Sequence, residues 1–183
     1  MGKKLDKAVI ILSKLSEVAH WIAAVSMIVV LILSLFGGTN IVQNVSSADF
    51  NASLSTYGFQ VMVIDNAGQV NLTALRLFCV GAGIILSLMA MVFRNVYLIM
   101  KRSENGTPFQ KDNVRMVREI GIFLIAIPIL GLILSTIIRA AVGIDLAETS
   151  VELDSFLIGL VVLCLSRIFA RGMALESDVD GLL

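Results

Sequence analysis

Cysteine and proline occur only twice each in this 183-residue chain, and histidine and tryptophan once each. That leaves little material for a disulfide scaffold, a zinc site or a proline-rich linker. Charge is scarce too, at 15% of residues, against about a quarter in an ordinary soluble domain. The 14 basic and 14 acidic residues cancel, so no overall positive field points to nucleic acid, and direct nucleic acid binding is not expected. Apolar residues are abundant instead, at 57% of the chain, with a mean hydropathy of +0.93. These proportions exclude an ordinary soluble enzyme and leave a small polytopic membrane protein.

Four apolar stretches reach the ~20 residues that cross a hydrocarbon core of about 30 Å. They run over about 18–36, 72–100, 120–142 and 155–175. None alternates strictly, which predicts helices rather than barrel strands. The expected fold is an all-α, four-helix membrane bundle with a small loop domain between its first two spans. Charges give an independent ruler. Arg76 and Arg94 bracket the second span 18 residues apart, about 27 Å of helix. Glu119 and Arg139 bracket the third 20 residues apart, about 30 Å. The fourth is shorter, because only 12 uncharged residues separate Asp154 from Arg167. Extended to Arg171, it places Arg167 one turn inside the membrane edge, reaching outward by snorkelling or pairing.

Twelve of the 14 basic residues fall on one side of this arrangement, leaving only Arg76 and Arg139 on the other. By the positive-inside rule both termini and the 101–119 loop are cytoplasmic, and the 37–71 loop is external. The first span is longer than a signal-peptide core, and no small-residue cleavage site directly follows it, so it is read as a retained anchor. Before it, Leu5, Val9, Leu12 and Leu15 recur at helical spacing among Lys4, Lys7 and Lys14. That pattern fits either an interfacial lead-in helix or an extension of the span.

In the external loop, Phe59, Val61 and Val63 alternate with Gln60, Met62 and Ile64, and Asp65-Asn66-Ala67-Gly68 supplies turn chemistry. A hairpin over 59–71 is expected, serving as a recognition lid or as a cap on the helix ends. Three glycosylation-like triplets begin at Asn44, Asn51 and Asn71. The second external loop carries Asp145, Glu148, Glu152 and Asp154, which suit cation attraction or a plain solvated connection. On the inner side, Thr107 and Pro108 are placed to cap and open the third helix. Lys111, Arg115 and Arg118 follow at helical spacing. They suit anionic headgroups, at about 1 kcal/mol each, or partner contacts, or serve topology alone.

Chemistry-bearing motifs are few. There is no P-loop and no CxxC, and no catalytic, cofactor-binding or metal-ligating set emerges; no cofactor is expected. Small residues recur at Cys79, Gly83 and Ser87 on span two, and Pro128, Gly131 and Ser135 punctuate span three, as helix packing requires. One polar constellation gathers near the inner edge: His20, Arg94, Asn95, Glu119 and Arg167. Within it Glu119 is expected to pair with Arg167, as a fixed staple or a switch between spans three and four.

The string Asn105-Gly106-Thr107-Pro108-Phe109, with Asn113 beyond it, leads through basic residues into a glycine-containing span. Further on, Ile168-Phe169-Ala170-Arg171-Gly172-Met173-Ala174-Leu175-Glu176 precedes an acidic tail. In their order and spacing these residues resemble the bacterial domain-of-unknown-function 2975 family of four-span membrane proteins. The resemblance implies a bacterial plasma-membrane protein with a sensory or regulatory role, since members are often encoded near a small helix-turn-helix regulator. It implies no catalytic residues. The expected function is non-enzymatic: regulatory, sensory or scaffolding, through membrane lipids, a cytoplasmic regulator protein or further copies of the chain. The alternative is a small transport, channel or immunity component handling an apolar or peptide ligand as an oligomer.

Overall fold

The computed structural model describes residues 2–36, 53–57, 59–62, 71–104, 110–143, 147–149 and 153–180. Four long helices dominate: α1 (Gly2–Phe36), α2 (Leu72–Ser103), α3 (Lys111–Val142) and α4 (Leu153–Asp180). Each contains a stretch long and apolar enough to cross a membrane. Three short strands accompany them, β1 (Ser53–Thr56), β2 (Phe59–Met62) and β3 (Ala147–Thr149), in one antiparallel sheet ordered β1-β2-β3. Large apolar side chains such as Ile11, Ile22, Ile129, Val161 and Ile168 lie exposed on the helices, a surface suited to hydrocarbon rather than water.

Local chemistry accounts for the helix limits. The Lys-containing lead-in is continuous with span one, so α1 is a single 35-residue helix. Inside it Ser13, Ser26 and Ser34 donate their hydroxyls to carbonyls three or four residues back, so these three need no outside acceptor. At the start of α2 the Asn71 side chain accepts hydrogen bonds from the amides of Thr73 and Ala74, both at 3.1 Å. This is an N-cap, and it engages the carboxamide of one glycosylation-like triplet. The start of α3 differs from expectation. Its first turn begins at Lys111, with the Gln110 carbonyl accepting from Val114 at 3.0 Å, so Thr107 and Pro108 lie upstream of the cap. Asp112 supplies the favourable first-turn carboxylate instead. Pro128 leaves α3 unbroken, and Gly143, at φ +110°, ends it by donating to the Arg139 carbonyl at 3.1 Å.

The chain divides into two compact units, one of residues 1–20, 88–126 and 153–183, the other of 21–87 and 127–152. The second unit holds the sheet. Its β-hairpin occurs earlier than the expected 59–71: β2 pairs with the preceding β1 on one edge and with β3 on the other. Strand β2 thus has both neighbours over Phe59–Val61, and Asn71 belongs to the cap of α2 rather than to a strand; the expected turn at 65–68 lies outside the described residues. Two residues separate the paired Thr56 and Phe59, and the described one, Tyr57, has φ 53°, the positive φ that primed hairpin turns demand. The stretch Ala147–Thr149, within a loop expected to be a solvated connection, is strand β3.

Phe59 anchors the sheet. Fully buried, it stacks on Phe78 with ring centroids 5.3 Å apart. A methyl group at Gly81 would lie 2.8 Å from its ring, and one at Gly131 only 3.8 Å from its Cβ. Gly81 on α2 therefore forms the notch for this ring, and Gly131 on α3 lies beside the start of its side chain. Nearby, the Cys79–Gly83 stripe faces α1: Cys79 and Leu75 pack with Met27 and Leu31. Arg76 donates to the Ser34 carbonyl at 2.7 Å, placing a cation on the carbonyl end of α1.

In the first unit α3 and α4 meet almost backbone to backbone. A methyl group at Gly121 would sit 2.8 Å from the Leu163 side chain and 3.0 Å from its amide nitrogen. One at Gly159 would sit 2.7 Å from Ile125 Cγ1 and 3.0 Å from the Ile125 nitrogen. Gly121→Ala and Gly159→Ala should each cost about 1–3 kcal/mol, since backbone must move to admit the methyl. Gly83→Ala, whose nearest neighbour is 4.0 Å away, should be neutral or stabilising by up to about 1 kcal/mol from helix propensity. Denaturant unfolding in mild detergent checks the contrast.

Candidate functional site

Lys111, Arg115 and Arg118 are spaced at i, i+4 and i+7, which places them on one face of α3. On α4, Ser166, Ala170 and Met173 share a face by the same spacing, with Arg167 adjoining. The antiparallel contact at Gly121–Leu163 and Gly159–Ile125 holds these two faces together at one level. From there towards the start of α3 and the end of α4, the space between them is a cleft of about 570 Å³. Its lining joins Lys111, Arg115, Arg118 and Arg167 to an apolar floor that includes Val114, Leu163, Ala170 and Met173. Among the described residues no carboxylate is part of that lining.

Three acidic groups among the described residues are engaged with other partners. Glu119 Oε1 lies 3.2 Å from Arg115 Nε, and its Oε2 accepts from Asn95 Nδ2 at 3.2 Å. Asp112 binds Arg102 at 2.8 Å, and Glu17 binds Lys14 at 2.9 Å. Among the described residues, Lys111, Arg118 and Arg167 have no carboxylate within 4 Å. Among the described residues the cleft therefore presents three cations without a carboxylate partner and one, Arg115, shared with Glu119. Its potential is positive, and it suits an anion.

The expected inner-edge constellation is only partly assembled. Asn95 and Glu119 do meet. The expected Glu119–Arg167 pair does not form, because Arg115, one turn away on the same helix, reaches Glu119 without bridging to α4. Arg167 turns instead into the cleft. His20 Nδ1 lies 2.7 Å from the Ser16 carbonyl, and its ring is tilted against Phe93 at 5.1 Å. Arg94 is exposed on α2. Of the family-like residues, Asn113 is buried and Gly172 half-buried, while Gly106, Pro108 and Phe109 lie outside the described residues.

Sequence reading missed that Arg167 joins the α3 cations, and the contributions of Leu163, Ser166 and Met173. A usable signal was present: glycines at 121 and 159, each just beyond a basic or small-residue face. A second feature also went unforeseen. Tyr97 on α2 receives Lys14 over its ring at 5.1 Å and Lys101 at 5.5 Å, with Lys101 donating to its hydroxyl at 3.1 Å. This ties α1 to α2 through cation–π contact. Among the described residues no three His, Cys, Asp or Glu side chains converge as a metal set, and Cys79 and Cys164 are both free thiols.

No protein-family model, no curated protein and no solved structure matches this chain.

A double-mutant cycle of Arg115→Gln with Glu119→Gln should yield a coupling of about 0.3–0.5 kcal/mol, as for a half-exposed helical pair. The cycle of Glu119→Gln with Arg167→Gln should give none. Coupling above about 1 kcal/mol in the latter would reinstate a bridge between α3 and α4.

Proposed function

We propose that this chain is a non-enzymatic, multi-pass protein of the bacterial plasma membrane, a four-helix bundle whose Lys/Arg-rich helix ends and 101–119 loop face the cytoplasm. It works as a regulator, sensor or scaffold by holding an anionic partner in the cleft between α3 and α4. The observation that carries this reading is the convergence of Lys111, Arg115, Arg118 and Arg167 around one apolar-floored space. Cations placed only to set topology need no shared cavity. These come from two helices, across a backbone contact close enough to exclude side chains. The asymmetry of basic residues supports the orientation. The likeness of residues 105–113 and 168–176 to the domain-of-unknown-function 2975 family supports the bacterial, regulatory setting.

Orientation is checked with Ser46→Cys and Thr107→Cys, each in a background lacking Cys79 and Cys164. A membrane-impermeant maleimide should label the first on intact spheroplasts and the second only after permeabilisation. The regulatory role is checked by transcript profiling of a deletion strain. Wild-type protein should restore the profile, whereas Arg118→Gln/Arg167→Gln at equal membrane abundance should not. Identical profiles in the two complemented strains would overturn it.

A further inference from the structure

We propose that the cleft binds one anionic phospholipid, its phosphate held by Lys111, Arg118 and Arg167 and its hydrocarbon leaving past Leu163 along the apolar segments of α3 and α4, with Ala170 and Met173 against the headgroup end. The inference rests on the reading of the cleft as an anion site and names the anion. Guanidinium groups offer paired N–H donors that match phosphate oxygens, and two of the three cations are arginines. The Ser166 hydroxyl is engaged with the Leu163 carbonyl at 2.7 Å, so the cations are the donors left to the ligand. Glu119 is held by Arg115 and Asn95 and is not among the described residues that line the cleft. Asp112 is held by Arg102.

The floor decides between a lipid and a free phosphate. A small hydrated anion gains nothing from Leu163, Ala170 and Met173, whereas an amphiphile needs apolar surface directly beside its phosphate. Both helices continue from the cleft into apolar segments with outward-facing Ile122 on α3 and Leu165 and Ile168 on α4. That surface continues the path of an acyl chain. The volume, about 570 Å³, falls within the roughly 300–1,000 Å³ common for small-molecule sites, enough for a headgroup and the adjoining part of its chains. The headgroup-facing role expected of Lys111, Arg115 and Arg118 thereby becomes a defined site completed by Arg167 from a second helix.

The test is native mass spectrometry of the full chain released from nanodiscs of equal phosphatidylglycerol and phosphatidylcholine. One phosphatidylglycerol should stay bound in preference to phosphatidylcholine. Removing a cation should lower that preference about fivefold, so Arg118→Gln/Arg167→Gln should nearly abolish it. Arg167→Lys should largely keep it, and Arg94→Gln, a basic residue outside the cleft, should leave it unchanged. Retention of both lipids in bath proportion would overturn the proposal, as would an equal loss in Arg94→Gln. Displacement of the lipid by millimolar glycerol phosphate would assign the site to a soluble phosphate instead. If lipid preference is absent while the double variant still alters transcripts, the occupant is a protein and the regulatory reading survives. Lipid preference without any transcript effect separates the two in the opposite sense.

Discussion

The distance between α3 and α4 is set by two glycines. At Gly121 and Gly159 there is no Cβ, and each helix receives a side chain of the other, Leu163 in one direction and Ile125 in the reverse. Dispersion between close-packed apolar atoms is individually small but accumulates over such a contact. Where hydrocarbon surrounds the helices, packing of this kind takes over the part that water expulsion plays elsewhere. The basic cleft depends on it. Were α3 and α4 a side chain further apart, Arg118 and Arg167 would not line one cleft.

The same device works in the unit that holds the sheet, with an aromatic ring as the inserted group. Phe59 lies against Gly81 on α2 and Gly131 on α3, nine residues into one helix and eleven from the end of the other. At 1.5 Å per residue that is a depth of about 13–17 Å along the helices. Backbone without helical hydrogen bonds can lie so deep only if its polar groups are satisfied within the protein. Strand β2 meets this requirement by pairing on both edges, with β1 and β3. The left-handed conformation of Tyr57 follows from turning the chain within two residues there.

Charge at the cleft is organised by exclusion as much as by attraction. Asp112, Glu17 and Glu119 each bind a cation within a short reach, two of them along their own helix. Pairs of this sort contribute little stability where solvent reaches them. Their consequence is distributional: among the described residues they leave Lys111, Arg118 and Arg167 facing one space with no carboxylate partner. The positive character of the cleft follows from which cations lack partners among the described residues, not from how many cations there are.

Much of this was legible in the sequence. Four apolar stretches of sufficient length, the crowding of basic residues on one side, and the matching i, i+4, i+7 face of α3 are properties of short windows. Hydrocarbon thickness and helical period act locally, so spacing alone conveys them. Strand β2 was legible as alternation, but not its partners. A strand's neighbours are set by what lies beside it in space, and three-residue β3 carries no period to read. The expected Glu119–Arg167 pair failed for a related reason. Depth along a span says that two residues share a level, while the rotation of each helix decides whether they meet. Rotation is set by where small residues let backbones touch. Length, period and charge sign were thus written in the sequence by itself, and the tertiary structure alone decided which faces met, because contact between helices depends on shapes that no single segment contains.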